Sequence, residues 1–479
     1  MKMKNRFYIL LCLLYMGMVS CNSWLDVQPK TELDEEEMFS KQQGFQETLT
    51  GVYMNMKSTG SYGGNLMYGT IEYLAQPWDC SNGSYQEKIS RFNYTDASVQ
   101  GQFETIYTQL YKTIMSANTV LEKIDEKRSV FETGMYEIIK GEALALRAYC
   151  HLDLLRLFGP MPMKTGNSTV LPYVTTVTID YHEHHTYEEF THLLEDDLLL
   201  ADSLLKTSDP VQATVRQRDV ENNVTLSVSA SDFLKARHLR FNYYAVKALE
   251  ARFYLWLGGS ENKAKACACA KEVMDAVDEE GKPVFELGSV GAFVNEDYVF
   301  SSEHIMAVYD HKLSDRSTTA FSGNPSYTKD NNVLVPELYE AGTTDIRYAL
   351  WTSYTQSGGD IKWSLKKFLQ KDENSAINQL PLLRLSEMYL IAMECGTIAE
   401  ANELYEAFCI ARDIPVREFH EVELEDILLE EYNKEFYAEG QTFYLYKRLG
   451  VENMLWAQDP GNEEAFVVPL PLKEVNYAK

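Results

Sequence analysis

The chain has 479 residues, 45% hydrophobic and 24% charged, and its 44 Lys and Arg against 71 Asp and Glu give a formal charge of −27. That balance argues against a nucleic-acid partner, which needs clustered basic side chains on phosphate, and beyond the N-terminus no apolar run approaches the ~18 residues of a spanning helix. At ~150 residues per domain the length suggests about three units, and the 12% aromatic content, led by 31 Tyr, exceeds what a core of this size usually needs.

Lys2, Lys4 and Arg6 precede an apolar stretch from Phe7 to Val19 that is too short to span a bilayer. This is the pattern of a secretion signal. Small residues up to Ser20 stand before Cys21, which fits a lipoprotein cleavage site, so the mature chain is expected to start at an acylated Cys21; the alternative is an ordinary signal ending near a buried thiol. Several acyl chains on one cysteine make an effectively permanent anchor. Loss of residues 1–20 removes three positive charges and takes the net charge to −30, so the body is repelled by anionic lipid and stands off on its tether, residues 21–40, which includes Trp24. The run from Asp34 to Glu37 reads as a solvated helix start favoured by the macrodipole.

Phe103, Ile106, Leu110, Ile114, Ala117, Leu121 and Ile124 share one helical face. Residues 137–158 are apolar nearly all round, which predicts a central helix covered on several sides. Phe190, Leu194, Leu198, Ala201 and Leu205 form the next stripe, ended by Asp209 and Pro210. Two helical hairpins follow. Tyr244, Ala248, Ala251 and Leu255 lead through Gly258 and Gly259 to Ala266, Cys269, Ala270, Val273 and Val277, and the same design recurs from Leu385 to Ala411 with Gly396 between the helices, each glycine pair or single glycine supplying a left-handed cap. Units of about 34 residues with small residues in one helix and aromatics in the other predict an all-α, tetratricopeptide-like scaffold. Cys150, Cys267, Cys269, Cys395 and Cys409 fall in these helical patterns as small buried thiols, with no disulfide framework expected.

Long irregular stretches are expected at 58–98, 159–186, 206–231, 278–335 and 342–378, and long loops inside a compact domain are usually functional. Residues 61–94 hold Tyr62, Tyr68, Tyr73, Trp78, Tyr85, Phe92 and Tyr94, and residues 321–368 hold Phe321, Tyr327, Tyr339, Tyr348, Trp351, Tyr354, Trp363 and Phe368. Rings in loops are candidate binding surface.

Several segments carry a resemblance to a known family. Cys21, Trp24, Leu25 and Asp26 through Pro29 look like its post-lipobox start, and Tyr111 to Leu121 like its first long helix. Glu142, Leu146, Arg147, Ala148 and Tyr149, continuing through Asp153, Arg156, Phe158, Gly159, Pro160 and Pro162, form the most specific stretch, and Leu383 to Leu390, Glu435 to Arg448 and Val468 to Pro471 complete the set. The chain thereby resembles the SusD/RagB-like surface lipoproteins of Bacteroidetes outer membranes. Family members often have Arg where Tyr432 and Thr442 stand. The resemblance implies a helical scaffold decorated by loops, a binding role without catalysis or cofactor, and capture of an oligo- or polysaccharide for a SusC-like TonB-dependent transporter. It also implies one interleaved body in place of three domains, with an N-terminal part at 41–277 and a C-terminal part at 278–479.

Three functional classes compete: a cell-surface glycan-binding lipoprotein, a peptide-binding member of the same family, and a secreted glycoside hydrolase. The hydrolase needs two carboxylates flanking a cleft, and no local hydrolase, metalloprotease, phosphate-loop or calcium-loop signature appears. His182, Glu183, His184 and His185 lack the helical spacing of a metal pair and read as a solvated loop. Glu142 and Arg147 lie on different faces of a near-buried helix, so their partners are expected on neighbouring elements. Trp78 and Asp79 are the leading ligand-contact pair, because an indole face stacks on the C–H face of a pyranose while a carboxylate accepts its hydroxyls; the competing role for Pro77 and Trp78 is to pin the loop to the body. Trp351, Tyr354 and Trp363 form a second candidate platform, with Tyr85 and Tyr327 in support. Trp256 is assigned to the core.

Overall fold

The computed structural model describes residues 35–166, 169–178, 180–212, 233–322, 327–340, 342–356, 358–369 and 377–477. The signal at 1–20, the lipidation site Cys21 and Trp24 lie outside the described residues.

The scaffold is helical. In chain order its main elements are α1 (Gln42–Met56), α2 (Thr70–Ala75), α3 (Tyr85–Ser90), α4 (Ala97–Ile124), α5 (Met135–Phe158), α6 (Tyr187–Ser208), α7 (Tyr243–Leu257), α8 (Gly259–Met274), β1 (His304–Tyr309), α9 (Leu313–Phe321), β2 (Lys329–Asp330), α10 (Asn331–Leu338), β3 (Trp351–Thr355), β4 (Ile361–Leu365), β5 (Gln379–Arg384), α11 (Leu385–Cys395), α12 (Ile398–Arg412), α13 (Leu424–Glu435) and α14 (Thr442–Leu449). The sequence sets their ends. Asp96 caps α4 by accepting from Ser98 N–H, and Thr186 with Glu189, like Thr397 with Glu400, forms a reciprocal capping box on α6 and α12.

Helix α5 is central, as its apolar circumference requires: every residue except Glu137 and Lys140 is buried. It packs between α4 and α6. Gly141 makes the close approach possible, because a Cβ there would lie 2.7 Å from Leu205 Cγ on α6. The hairpins α7–α8 and α11–α12 stack beside this trio, and α8 packs on α11. Trp256 is buried within α7.

The polar residues of α5 find their partners on neighbouring elements, as their placement on different faces demands. Arg147 clasps Asp197 of α6 through Nε at 2.7 Å and Nη2 at 2.6 Å, and its Nη1 donates to Asn118 of α4 at 2.9 Å. Glu142 takes Arg237, Arg240 and the Tyr53 hydroxyl. Arg156 pairs with Asp153 within α5 at 2.9 Å and reaches off the helix to Gln441 at 2.9 Å. That last bond joins the first half of the chain to the last.

A second buried lattice holds the C-terminal part. Arg384 and Arg412 share Glu303 and Glu435, and Arg347 joins Asp345, Glu431 and Glu435. Burial alone would push the Glu435 carboxyl up, but Arg412 and Arg384 hold it well below the usual carboxylate range. Glu431, beside Tyr432, belongs to this lattice.

Several expectations need correction. The stretches read as irregular contain β1, the three-stranded antiparallel sheet β2–β4–β3, the short helices α2, α3 and α9 and the start of α10, and β1 pairs antiparallel with β5, which lies just beyond them. Residues of β1 and β5 are buried on both faces, so their run of apolar side chains carries no alternation to read. Gly258 has φ +68, but Gly396 is extended at φ −81 and ψ −176; a Cβ there would lie 2.9 Å from Ala392 O, so close approach and the Thr397 cap define that turn. Helix α8 ends at Met274, leaving Val277 exposed in a bridge with Pro283.

Cys80, Cys150, Cys267, Cys269, Cys395 and Cys409 are free thiols. No helix of the described residues is long and apolar enough to cross a membrane.

Candidate functional site

Asp79 sits where separated parts of the chain converge. Its backbone N–H donates to Thr328 O at 2.8 Å, and its carboxylate accepts from Lys362 Nζ at 2.8 Å, with Lys329 Nζ 3.6 Å from the other oxygen. Lys362 also pairs with Asp330 at 3.2 Å. Burial draws the Lys362 ammonium down, but Asp79 and Asp330 more than restore it. Lys329 is more deeply buried, and for it burial wins. The loop at 77–80 is thereby locked to β2 and β4.

Beneath this ion cluster lies an aromatic floor. The Trp78 ring is 4.8 Å from Tyr437, 5.5 Å from Tyr327 and 6.2 Å from Trp351, and Trp351 meets Tyr437 edge-on at 4.8 Å. The Tyr437 hydroxyl donates to Pro77 O. Trp78 is 3% exposed and Trp351 5%, so in this state both indoles pack inward and neither offers a free face. The surplus of rings in loops 61–94 and 321–368 is largely spent this way, loop against loop, since Tyr62, Tyr68, Tyr73, Phe321 and Phe368 are buried too.

The more accessible rings surround this floor. Tyr327 is half-buried, stacked on Tyr73 at 6.0 Å and edge-on to Tyr68 at 5.6 Å. Tyr85 opens α3 behind the Ser84 cap and is 39% exposed. It stands near Tyr73 and Tyr327, whose phenols are raised first by burial and then by neighbouring rings including Tyr85. Trp363 is half-buried against Tyr348 at 5.7 Å, with its indole N–H donated to Asn331.

Strand register separates the second predicted platform. Trp351 pairs with Leu365 and Ser353 with Trp363, while Tyr354 pairs with Lys362. Directly opposed residues share a face and successive residues alternate, so Tyr354 lies with Lys362 and Asp330 on the side away from Trp351 and Trp363. The structure therefore joins Trp78, Asp79, Tyr327 and Trp351 at one place, with Tyr85 beside them, and does not place Trp351, Tyr354 and Trp363 on one surface.

Trp456 escaped the sequence reading. It is half-buried, its ring covers Lys329 Nζ at 4.0 Å, and its indole N–H has no hydrogen-bond partner. Its φ of +62 is uncommon for a bulky residue. The loop that carries it is fixed to the first aromatic segment by Gln458 N–H on Gln76 Oε1 at 3.0 Å and by Arg91 with Asp459 at 3.4 Å. An isolated Trp in a short loop gives no periodic signal.

Among the described residues no group of three or more His, Cys, Asp and Glu side chains is arranged to hold a metal ion. In the histidine loop, His184 Nε2 meets Glu474 at 2.8 Å and His185 Nδ1 accepts from Tyr173 N–H at 3.2 Å.

Residues 23–255 match the SusD-like family described as starch-binding and associating with the outer membrane. A SusD-like protein, P25 of Formosa agariphila, is 24% identical over 173 residues, 34% of this chain and 32% of that protein, so the match spans about a third of the relative's length. A SusD-like carbohydrate-binding protein from Bacteroides vulgatus has the same fold, with a TM-score of 0.69 and 17% identity over 91% of this chain and 96% of its own. A laminarin-binding SusD-like protein gives 0.60 and 17% identity over 90% and 96%.

Proposed function

Because the chain belongs to the SusD/RagB-like family, we propose that it is a lipid-anchored protein of the outer-membrane surface that captures an oligo- or polysaccharide and passes it to a SusC-like TonB-dependent transporter. Cys21 would carry the anchor. The role is binding without catalysis.

The observation that carries this reading is the convergence at Asp79. Three loop segments meet there with aromatic rings at graded depth and with carboxylate and ammonium groups between them. Such a surface suits a sugar, whose C–H faces stack on rings and whose hydroxyls both donate and accept. We assign the contact surface to Asp79, Tyr85, Tyr327, Lys362 and Trp456, extended on the Lys362 side by Tyr354; Trp363 lies on the other face of the sheet and is left out of it. Trp78 and Trp351 form its floor and set the loop positions. A glycan array run beside a peptide array tests the class of ligand: carbohydrate signals support the reading, and peptide signals alone replace it with peptide capture.

A further inference from the structure

The body is strongly acidic, yet one patch beside the aromatic site is basic. Lys57, at the C-terminal end of α1, places Nζ 3.5 Å from His311 Nδ1. Lys312 and Arg316, at the start of α9, act electrostatically on the same Lys57 ammonium, which burial and then these two charges hold below its ordinary value. Within this group Arg316 pairs with Asp310, which is 1% exposed. Asp315 is exposed on the same helix, and among the described residues neither it nor the ammonium of Lys57 or Lys312 forms an ion pair, although the Lys312 backbone N–H donates to Asp310 at 3.1 Å.

Gathering like charges costs free energy unless something offsets it. The C-terminal carbonyls of α1 favour a cation at Lys57, but that accounts for one of the group. Arg316 also reaches Tyr68, which meets Tyr327 edge-on at 5.6 Å. The buried Tyr68 ring thus links the basic patch to Tyr327 of the proposed sugar surface from beneath.

We propose that Lys57, His311, Lys312 and Arg316 form a subsite for an anionic group, carboxylate or sulfate, on the captured glycan. The subsite rests on the glycan-binding reading and narrows it to acidic saccharides. An ammonium and a guanidinium donate to such a group in charge-assisted bonds, while the half-buried Tyr327 takes the apolar face of the sugar.

The test is isothermal titration of the full mature protein with oligosaccharides of polygalacturonate and alginate, which carry carboxylates, of chondroitin sulfate, which carries both groups, and of neutral laminarin. The expected result is binding of at least one acidic series that weakens with added salt and falls about tenfold in Lys57→Ala/Lys312→Ala, with an unchanged melting temperature. Lys312→Glu, at an exposed position, is expected to weaken it further. Preference for carboxylate or sulfate follows from which series binds. Neutral binding alone, or acidic binding that neither variant alters, overturns the subsite and leaves glycan capture standing. Failure of every series here and on a broad glycan array contradicts glycan capture itself, and the subsite with it.

Discussion

The indole rings of Trp78 and Trp351 lie 6.2 Å apart, with Tyr437 packed edge-on against both at 4.8 Å. One ring comes from the first aromatic loop, one from a sheet strand and one from the turn after α13. Their contact fixes where Asp79 and Tyr327 stand, so the position of the candidate surface depends on residues that do not themselves face solvent.

Trp78→Ala is therefore expected to act on stability. Removing a buried indole costs about 3–5 kcal/mol, and thermal or urea unfolding should show it. Tyr85→Ala, at an exposed position, is expected to shift stability by less than about 1 kcal/mol while weakening carbohydrate binding; Trp456→Ala, which uncovers Lys329, is expected to weaken binding at a larger cost in stability.

Arg147 and Asp197 clamp α5 to α6. Asp197→Ala leaves the guanidinium buried without its bidentate partner and removes the acceptor of the Tyr173 hydroxyl. A loss of about 3–5 kcal/mol is expected in urea unfolding. Gly141→Ala at the same helix contact forces Leu205 aside and is expected to cost about 1–3 kcal/mol.

Glu72 gives the fold a pH dependence of definite sign. It is buried in α2 and accepts N–H bonds from Ala438 at 3.0 Å and Gly440 at 2.7 Å, yet burial prevails and pushes its carboxyl up to about 8. Its folded-state pKa thus lies above the unfolded value, so between about pH 4.5 and 8 the folded state binds more protons. Stability contributed by this group is full below that window and declines as pH rises through it. Urea unfolding at pH 5 and pH 8 should show this decline in the native chain and a flatter profile in Glu72→Gln; equal slopes would remove Glu72 as the source.

Cys21 is expected to carry the anchor. Replacement by Ser should abolish metabolic labelling with palmitate and release the protein from the membrane fraction. Retention of both in Cys21→Ser would place the anchor elsewhere.

The helical scaffold was readable because its signals are periodic. The stripe from Phe103 to Ile124 and the apolar circumference of 137–158 became α4 and α5 with little change, and the caps at Thr186 and Thr397 follow from local chemistry. The strands were not readable for the opposite reason: β1 is a six-residue apolar run buried throughout, which periodicity cannot distinguish from part of a buried helix. At the candidate site, Trp78 and Asp79 drew attention through composition, but whether a loop ring faces solvent depends on which other loop covers it. That information lies in contacts such as Trp78 with Tyr437, far apart in the chain. Trp456 shows the same limit from the other side, since its importance comes from Lys329 beneath it.

Glycan capture at this surface is tested by a glycan-array comparison of the mature protein with its Tyr85→Ala/Tyr327→Ala/Trp456→Ala variant, both shown to be folded by circular dichroism. Glycan capture at the surface around Asp79 predicts discrete carbohydrate signals for the native chain that the triple variant loses. Equal signals from both proteins, or no carbohydrate signal from the native chain, would contradict it.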